Sequence, residues 1–342
     1  MENSLKRRFP PKGKTVVLAL IVIVLVLTIT KGYLFLRHFM DDTGLTPTTV
    51  AKLLFNGGVT LKASDDRTNI LVLGVGGADH TGDNLTDTMI ILSIDGVHKT
   101  LAIVSIPRDI WSDTLKDKIN SAYHYGEEKK KGGGYVLSKV IIEEVTGLPI
   151  HYAVLIDFGG FQKIIDLVGG VDVSVSRAFT DTQYPVLGKE TDTCNGDRTL
   201  ACRYETIHFE QGVQYMDGTT ALKYVRSRHA EGEEGNDFAR GRRQQEVLLA
   251  LKQKLLKPKL WVSPERTKNL ITALDRATDT DLNIGELATI GKIASSINTQ
   301  DIKRISVESE LYSPPQWWYG RYVLLPKVSF DSLHDFIKKQ LQ

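Results

Sequence analysis

The chain has 342 residues, of which 42% are apolar and 25% are charged, and its formal net charge is +2. This length and composition are those of a globular protein with one large or two ordinary domains and a sizeable core. The near balance of 43 basic and 41 acidic residues argues against a dedicated nucleic-acid-binding protein, which is usually clearly basic.

The chain begins with a basic tail and an apolar segment. Residues 15–30 carry no charge, and a helix reaching residue 36 spans a bilayer if Lys31 extends its side chain to the far headgroups. A cleaved signal peptide is the alternative, disfavoured because no small-residue cleavage site follows the apolar run. Since basic flanks stay in the cytoplasm, we expect four regions: a cytoplasmic tail (1–14), a transmembrane signal anchor (15–36), a linker (37–66) and an extracytoplasmic catalytic domain (67–342).

Patterns of strands and helices alternate from residue 69 onward. Short apolar runs predict strands at 70–73, 89–94, 100–106, 151–158, 171–175, 302–307 and 322–325. Helical spacing predicts helices at 135–145, 160–168, 218–225, 237–256, 268–277, 284–297 and 332–341. This order predicts an α/β fold, an α-β-α sandwich with a central mixed sheet. We expect residues 177–206, which are polar, to be an irregular excursion from it.

Both cysteines, Cys194 and Cys202, lie in that polar excursion. Outside the cytoplasm a disulfide between them is plausible. Two free thiols are the alternative in a compartment that is not oxidising.

Arginine is concentrated in residues 224–245. Two clusters flank an acidic, glycine-containing loop (231–234), which we expect to be a flexible lip: Arg226 and Arg228 before it, and Arg240, Arg242 and Arg243 after it. The planar guanidinium suits phosphate oxygens, so the stretch predicts a site for a strongly anionic ligand. The alternative is a solvated loop whose arginines pair with its glutamates.

The helix predicted at 237–256 directs part of this cluster inward. Arg240 and Gln244 share a face with the apolar residues Val247, Leu248 and Leu251. A buried charge without a partner is costly, and a helix N-terminus attracts anions, so this face favours an anion pocket. A core carboxylate as the partner of Arg240 is the alternative.

Polar side chains also lie at two predicted strand ends. Asp79, Asp83 and Asp87 belong to the loop after the first strand, and carboxylates with few cysteines or histidines around them suit Mg²⁺. Turn or loop-capping roles are the alternative for these aspartates. Arg108 follows the third strand, where ligands bind in α/β sheets, although a local ion pair with Asp109 would also explain it.

Seven segments, in order and spacing, resemble the LytR-CpsA-Psr family of bacterial envelope proteins: 69–74, 86–89, 105–109, 118–123, 166–173, 216–228 and 237–245. The resemblance covers residues 69–256. It implies an α/β/α fold and a Mg²⁺-dependent phosphotransferase at the cell membrane. Such an enzyme transfers a glycopolymer from a polyprenyl-pyrophosphate carrier to peptidoglycan.

The resemblance also implies site residues. Five positions match those that bind the pyrophosphate: Arg108, Arg226, Arg228, Arg240 and Gln244. Asp87 matches a carboxylate at the Mg²⁺ site, and together with Arg108 and Arg240 it is assigned to catalysis. A second family aspartate is replaced here by glycine. Asp79 and Asp83 are the nearest candidates for the second metal ligand, and Asp79 is chosen.

Two other functions remain as alternatives. A hydrolase with the same site would cleave the pyrophosphate with water as the acceptor. A non-enzymatic envelope regulator or scaffold is the other alternative, and direct binding of nucleic acid is disfavoured because only a short basic tail is expected in the cytoplasm.

Overall fold

The structure is a computed structural model that describes residues 25–34, 37–38, 40–41, 48, 58–76, 85–186, 188–189, 191–257, 260 and 264–342. The predicted anchor at 15–36 falls only partly within these residues, and Asp79 falls outside them. Across the described ranges, no helix has both the length and the apolar character needed to cross a membrane.

The bounds of the regular elements from residue 58 onward are as follows. The strands are β1 (Arg67–Val75), β2 (Thr86–Asp95), β3 (Thr100–Ser105), β4 (Trp111–Ser112), β5 (Asp117–Lys118), β6 (Tyr152–Asp157), β7 (Val171–Val175), β8 (Phe179–Pro185), β9 (Tyr204–Phe209), β10 (Gly212–Met216), β11 (Thr278–Thr280), β12 (Lys303–Ser306), β13 (Leu311–Tyr312) and β14 (Leu325–Pro326). The helices are α1 (Ala122–Lys129), α2 (Gly133–Thr146), α3 (Phe158–Leu167), α4 (Gly218–Arg226), α5 (Asp237–Leu255), α6 (Pro264–Ala277), α7 (Ile284–Ser296), α8 (Gln316–Tyr319) and α9 (Phe330–Leu341).

Six strands form the central sheet in the order β11-β6-β1-β2-β3-β12. Strand β1 is parallel to β6 and antiparallel to β2, and β3 is antiparallel to β2 and parallel to β12. The sheet is therefore mixed, which confirms the predicted α/β fold with a central mixed sheet. Its two outer strands come from the last quarter of the chain.

The central sheet is buried on both faces. On β1, Leu71 and Leu73 join a core with α2 and α9, whereas Ile70 joins one with α5 and α7. Since successive side chains of a strand point to opposite faces, a continuous apolar run is what this two-sided burial requires. A third core lies among α3, α4, α5 and the strands β7 to β10.

One expectation about the middle of the chain is wrong in part. Residues 177–206 are irregular only between the two strands β8 and β9, which pair in an antiparallel hairpin. The strand predicted at 171–175 forms with these bounds as β7, and it pairs with β10 outside the central sheet. Polar side chains hid this hairpin from a pattern based on apolar residues, since β9 buries only alternate positions. Cys194 and Cys202 form a disulfide in the loop between β8 and β9.

Candidate functional site

Four strand ends meet at one edge of the central sheet. Strands β1 and β6 run parallel and end there, as do β3 and β12, in which Ser105 lies opposite Ser306. Strand β2 begins at the same edge because it is antiparallel to β1 and β3. Asp87 lies in the first residues of β2 and Arg108 follows β3, so the fold brings both to the edge where α/β sheets bind ligands.

Helices α4 and α5 bring three more predicted residues to this edge. Arg226 ends α4, Arg228 follows it, and Arg240 lies in the first turn of α5. The N-cap of α5 is Asn236, whose side-chain oxygen accepts a hydrogen bond from the backbone N–H of Ala239 at 2.7 Å. This N-cap fixes the start of the helix and therefore the direction of the Arg240 side chain.

Arg240 is buried and shares one carboxylate with Arg228. Asp237 Oδ1 lies 2.8 Å from Arg240 Nη1 and 3.4 Å from Arg228 Nε. Arg240 therefore has the carboxylate partner that was one interpretation of its sequence position. The two arginines share a single carboxylate and keep a net positive charge, which agrees with the other interpretation, an anion pocket. Burial, together with the nearby Arg228 and Arg108, lowers the pKa of Arg240 to about 10, although Asp237 opposes this shift.

Arg108 belongs to the same charged centre, because it interacts with Asp237 and Arg240 as well as with Asp87. Its Nη1 contacts Asp87 Oδ1, and its Nε lies 3.6 Å from Asp109 Oδ2. That Nε is buried and has no hydrogen-bond acceptor within the described structure. Burial favours a lower pKa for Arg108, but Asp87, Asp109 and Asp237 outweigh burial and raise the pKa. A buried donor without an acceptor is rare, and it is what an anion-binding residue presents before its ligand arrives.

Asp109 is not simply the local partner of Arg108. Lys118 Nζ lies 2.5 Å from Asp109 Oδ1, closer than the guanidinium does. The centre therefore contains more cations than carboxylates: Arg108, Lys118, Arg226, Arg228 and Arg240 against Asp87, Asp109 and Asp237. Lys118 was missed as a site residue, although it lies in a segment that carries the family resemblance.

Gln244 lies one turn after Arg240 on the same face of α5. Its Nε2 donates a hydrogen bond to Thr88 Oγ1 at 2.8 Å, which ties the helix to the start of β2. Thr88 packs so closely on Gly74 that a Cβ at Gly74 would approach its Cβ to 2.8 Å. A residue larger than glycine at position 74 would therefore displace Thr88 and, through it, Gln244.

An apolar cavity of about 310 Å³ opens beside the arginines. Its walls are apolar side chains of α3, α4 and α5, among them Phe161, Leu222, Val247 and Leu251. At one end it is lined by polar residues of the centre: Asp87, Arg226, Arg228, Arg240 and Gln244. The sequence did not reveal this cavity, because the apolar residues of a cavity wall have the same spacing as those of an ordinary core.

Arg226 stands at the boundary between the polar end and the apolar walls. Its guanidinium carbon lies 4.2 Å from the ring centroid of Phe158 and 5.9 Å from that of Tyr184. Aromatic faces stabilise a cation without neutralising it. Arg226 can therefore hold a charged group at the mouth of an apolar space.

The remaining two arginines of the cluster have other roles. Arg243 is buried and donates hydrogen bonds to the carbonyl oxygens of Tyr224 and Ser227, at 3.0 and 2.6 Å, and to Glu234. Arg242 contacts the same glutamate and is partly exposed. Glu234 is itself buried. The prediction of a flexible acidic lip at 231–234 is therefore wrong for Glu234, which is a fixed ion-pair partner.

Asp181, on the hairpin strand β8, fixes the backbone of the arginine loop. It is fully buried and accepts hydrogen bonds from Ser227 Oγ at 2.7 Å and from the backbone N–H groups of Arg228 and His229 at 3.1 Å each. Burial favours a higher pKa for Asp181, but hydrogen bonds from Ser227, Gln183, His229 and Arg228 outweigh it and lower the pKa.

This depressed pKa predicts how the stability contributed by Asp181 depends on pH. The folded carboxyl binds a proton less readily than the unfolded one, so its stabilising effect is complete above about pH 4 and is lost as the pH falls through the folded pKa. We expect Asp181→Asn to lower the urea midpoint at pH 7 and the difference from wild type to shrink at pH 3. Asp192→Asn, at an exposed carboxylate of the same polar stretch, serves as the control. An equal difference at both pH values would contradict the role of the Asp181 charge.

Comparisons with known proteins agree with this architecture. A sequence model of the LytR_cpsA_psr family matches residues 46–337. The chain is 32% identical to a polyisoprenyl-teichoic acid–peptidoglycan teichoic acid transferase TagU of Oceanobacillus iheyensis, over 66% of this chain and 62% of that protein. It is 29% identical to the TagU of Bacillus mycoides, over 66% of this chain and 64% of that protein. Both matches thus span less than two thirds of these relatives.

A solved structure shows the same fold. The crystal structure of TagV from B. subtilis superposes with a TM-score of 0.57 at 24% identity, covering 82% of this chain and 98% of that one. Since the family match extends over most of the sequence, the chain belongs to the LytR_cpsA_psr family.

Proposed function

We propose that this protein is a membrane-anchored phosphotransferase that moves a glycopolymer from a polyprenyl-pyrophosphate carrier to peptidoglycan. The observation that carries the proposal is the cluster of arginines at the mouth of an apolar cavity. A lipid pyrophosphate combines a strongly anionic group with an apolar chain, which matches both parts. The TagU relatives are named for the same class of reaction, the transfer of teichoic acid from a polyisoprenyl carrier to peptidoglycan.

Five residues are proposed to bind the pyrophosphate: Arg108, Arg226, Arg228, Arg240 and Gln244. Guanidinium groups bind phosphate oxygens through paired, charge-assisted hydrogen bonds. The Nε of Arg108, which is buried without an acceptor, is directly available to such an oxygen. The lipid chain would extend from there into the apolar cavity, along the side chains of α3 and α5.

The proposed reaction needs little covalent participation from the protein. A hydroxyl oxygen of the peptidoglycan acceptor forms a bond to the phosphorus that carries the glycan. The bond from this phosphorus to the bridging oxygen breaks, and polyprenyl phosphate leaves with the electron pair while the hydroxyl proton passes to solvent. Catalysis of phosphoryl transfer consists mainly of positioning and of stabilising negative charge. Arg108 and Arg240 are proposed to supply that stabilisation.

A Mg²⁺ ion is proposed at Asp87, with Asp79 as the second carboxylate. Asp87 lies beside the arginines with its side chain 35% exposed, so its oxygens remain accessible beside Arg108. The ion takes oxygen ligands and is usually bound by one or two carboxylates together with phosphate oxygens and water, which fits this donor set. When bound, it would neutralise charge on the pyrophosphate oxygens. Removal by EDTA should then weaken binding of pyrophosphate.

The proposed location is the outer face of the cell membrane, with the N-terminus in the cytoplasm and the catalytic domain outside. The disulfide between Cys194 and Cys202 supports this location, because such bonds persist in oxidising compartments.

The test of this function measures the transfer reaction with donors that differ in the length of the lipid chain. Purified protein is incubated with glycan-linked polyprenyl pyrophosphate, with and without peptidoglycan, and release of polyprenyl phosphate is measured. We expect release that depends on peptidoglycan. Leu251→Trp, which fills the apolar cavity, should weaken the apparent affinity for the long-chain donor by about tenfold, the equivalent of losing roughly 1.4 kcal/mol of contact.

The controls separate the lipid from the headgroup. A donor with a short, water-soluble chain should bind Leu251→Trp and wild type equally, and Val213→Trp, at an exposed position, should behave as wild type. Release that ignores added peptidoglycan would indicate a hydrolase. Absence of both donor binding and release would favour a scaffold or regulator.

A further inference from the structure

A second cavity adjoins the arginine centre, and it is polar. It measures about 320 Å³ and lies between α5 and the ends of β3 and β12. Asp87, Arg240 and Gln244 line both this cavity and the apolar one. The two spaces therefore meet at the residues proposed to hold the pyrophosphate.

Strand β12 supplies the part of this lining that has no assigned role. It is parallel to β3, and its side chains alternate, so that Ile305 is buried in the core while Arg304 and Ser306 are exposed to the cavity. Helix α5 comes very close to the neighbouring strand end, since a Cβ at Gly241 would lie 3.3 Å from the Cβ of Ser105. Glycine at this position permits the close approach that makes a cavity rather than an open surface.

Some charged side chains in this lining already have a hydrogen-bond or ion-pair partner among the described residues, and others do not. Asp87 and Asp237 are paired with arginines, and Glu246 accepts hydrogen bonds from Ser176 and Tyr224. The side chains of Arg304 and Glu308, by contrast, form no hydrogen bond or ion pair with another residue in the described part of the chain. Such groups, together with the hydroxyl of Ser306, are suited to the hydroxyl and amide groups of a sugar.

The direction of phosphoryl transfer relates the two cavities. The attacking and leaving oxygens lie roughly in line on opposite sides of the phosphorus. If polyprenyl phosphate leaves along the apolar cavity, the attacking hydroxyl has to arrive from a different side of the arginine centre. The polar cavity provides an approach that ends at the same Arg240 and Asp87.

We infer that the polar cavity is the subsite for the acceptor, an amino-sugar unit of a peptidoglycan glycan strand, bound by Arg304, Ser306 and Glu308. This inference rests on the proposed transferase function. In the reaction, the oxygen of the bound sugar hydroxyl forms the new bond to phosphorus, the bond to the bridging oxygen breaks, and the proton passes to solvent in the cavity.

Filling the cavity tests this assignment. Ser306→Trp should raise the KM for a soluble N-acetylglucosamine oligomer used as acceptor by about tenfold or more, the equivalent of about 1.4 kcal/mol of lost binding. The dissociation constant of the lipid-linked donor should stay within twofold of wild type. Lys303→Trp, on the same strand but on its other face, is the matched control and should leave both values unchanged. Arg304→Ala, which only shortens a rim side chain, should also raise the KM for acceptor.

The outcomes distinguish the subsite from the function. An unchanged KM for the acceptor in folded Ser306→Trp would overturn the inference. A loss of donor affinity alongside the raised acceptor KM would also overturn it, because the cavity would then bind the glycan of the donor. Binding of the oligomer is also measured by NMR titration without donor. If wild type transfers nothing but binds the oligomer, and Ser306→Trp abolishes binding, the transferase function fails and the sugar subsite stands. If wild type does not bind the oligomer in either assay, the inference fails.

Discussion

Replacing Arg240 with alanine is expected to lower the rate of glycopolymer transfer by about 10³-fold or more, in the range seen when an arginine that stabilises a phosphoryl transition state is removed. The reason is the position of Arg240, which lines both cavities and lies where the pyrophosphate is proposed to bind. Its charge is held in a buried place with little water to screen it, so it acts strongly on nearby phosphate oxygens. Initial rates of acceptor-dependent lipid phosphate release measure the effect.

Two variants control for indirect effects of this change. Lys254→Ala removes a basic residue near the other end of α5 and should leave the rate unchanged. Arg240→Lys keeps the charge but not the paired donors, and should recover only part of the activity. Asp237 retains Arg228 as a partner in Arg240→Ala, so the variant should still fold, as checked by its thermal midpoint. Full activity in folded Arg240→Ala would remove this residue from the site.

Replacing Arg243 with alanine is expected to destabilise the fold by about 3–5 kcal/mol, the usual cost of removing one partner from a buried ion pair. Arg243 is 1% exposed and donates hydrogen bonds to three backbone carbonyl oxygens, those of Tyr224, Ser227 and Glu234, as well as to the Glu234 carboxylate. Its loss leaves the buried carboxylate of Glu234 with only Arg242. Urea unfolding, followed by circular dichroism, measures the change in the free energy of unfolding.

Arg242 provides a matched control, since it contacts the same glutamate from a more exposed position. Arg242→Ala should lower the free energy of unfolding by no more than about 1 kcal/mol, as for surface ion pairs. The expected loss in the free energy of unfolding is thus several-fold larger for Arg243 than for Arg242. Equal losses in the two variants would contradict a structural role specific to Arg243.

The sequence predicted the elements of this fold where apolar periodicity was strong. The strand predicted at 171–175 has the observed bounds, and helix α4 begins after Asp217, whose carboxylate accepts a hydrogen bond from the backbone N–H of Thr220. The hairpin of β8 and β9 was missed because half of its side chains are exposed and polar. Strand pairing between distant parts of the chain was also not predictable. Nothing in the sequence of β12 shows that it pairs with β3, which lies about two hundred residues earlier.

The candidate site shows the same division. Helical phase placed Arg240 and Gln244 inward, as the structure has them. The same phase does not explain Arg243, whose burial depends on the backbone of the loop that precedes the helix. The two cavities could not be predicted from the sequence. Each is a gap between several helices and strands, and such a gap depends on how these elements pack in three dimensions.

The carboxylate of Asp237, shared by Arg228 and Arg240, has a consequence for turnover. It acts as an internal counterion of the two arginines. An incoming phosphate therefore has to compete with the Asp237 carboxylate for their guanidinium groups. A ligand with two phosphates competes well in such an exchange, whereas a monophosphate competes less well. An enzyme that converts a lipid pyrophosphate into a lipid monophosphate would thereby hold its substrate more firmly than its product, and Asp237 would favour release at the end of each cycle.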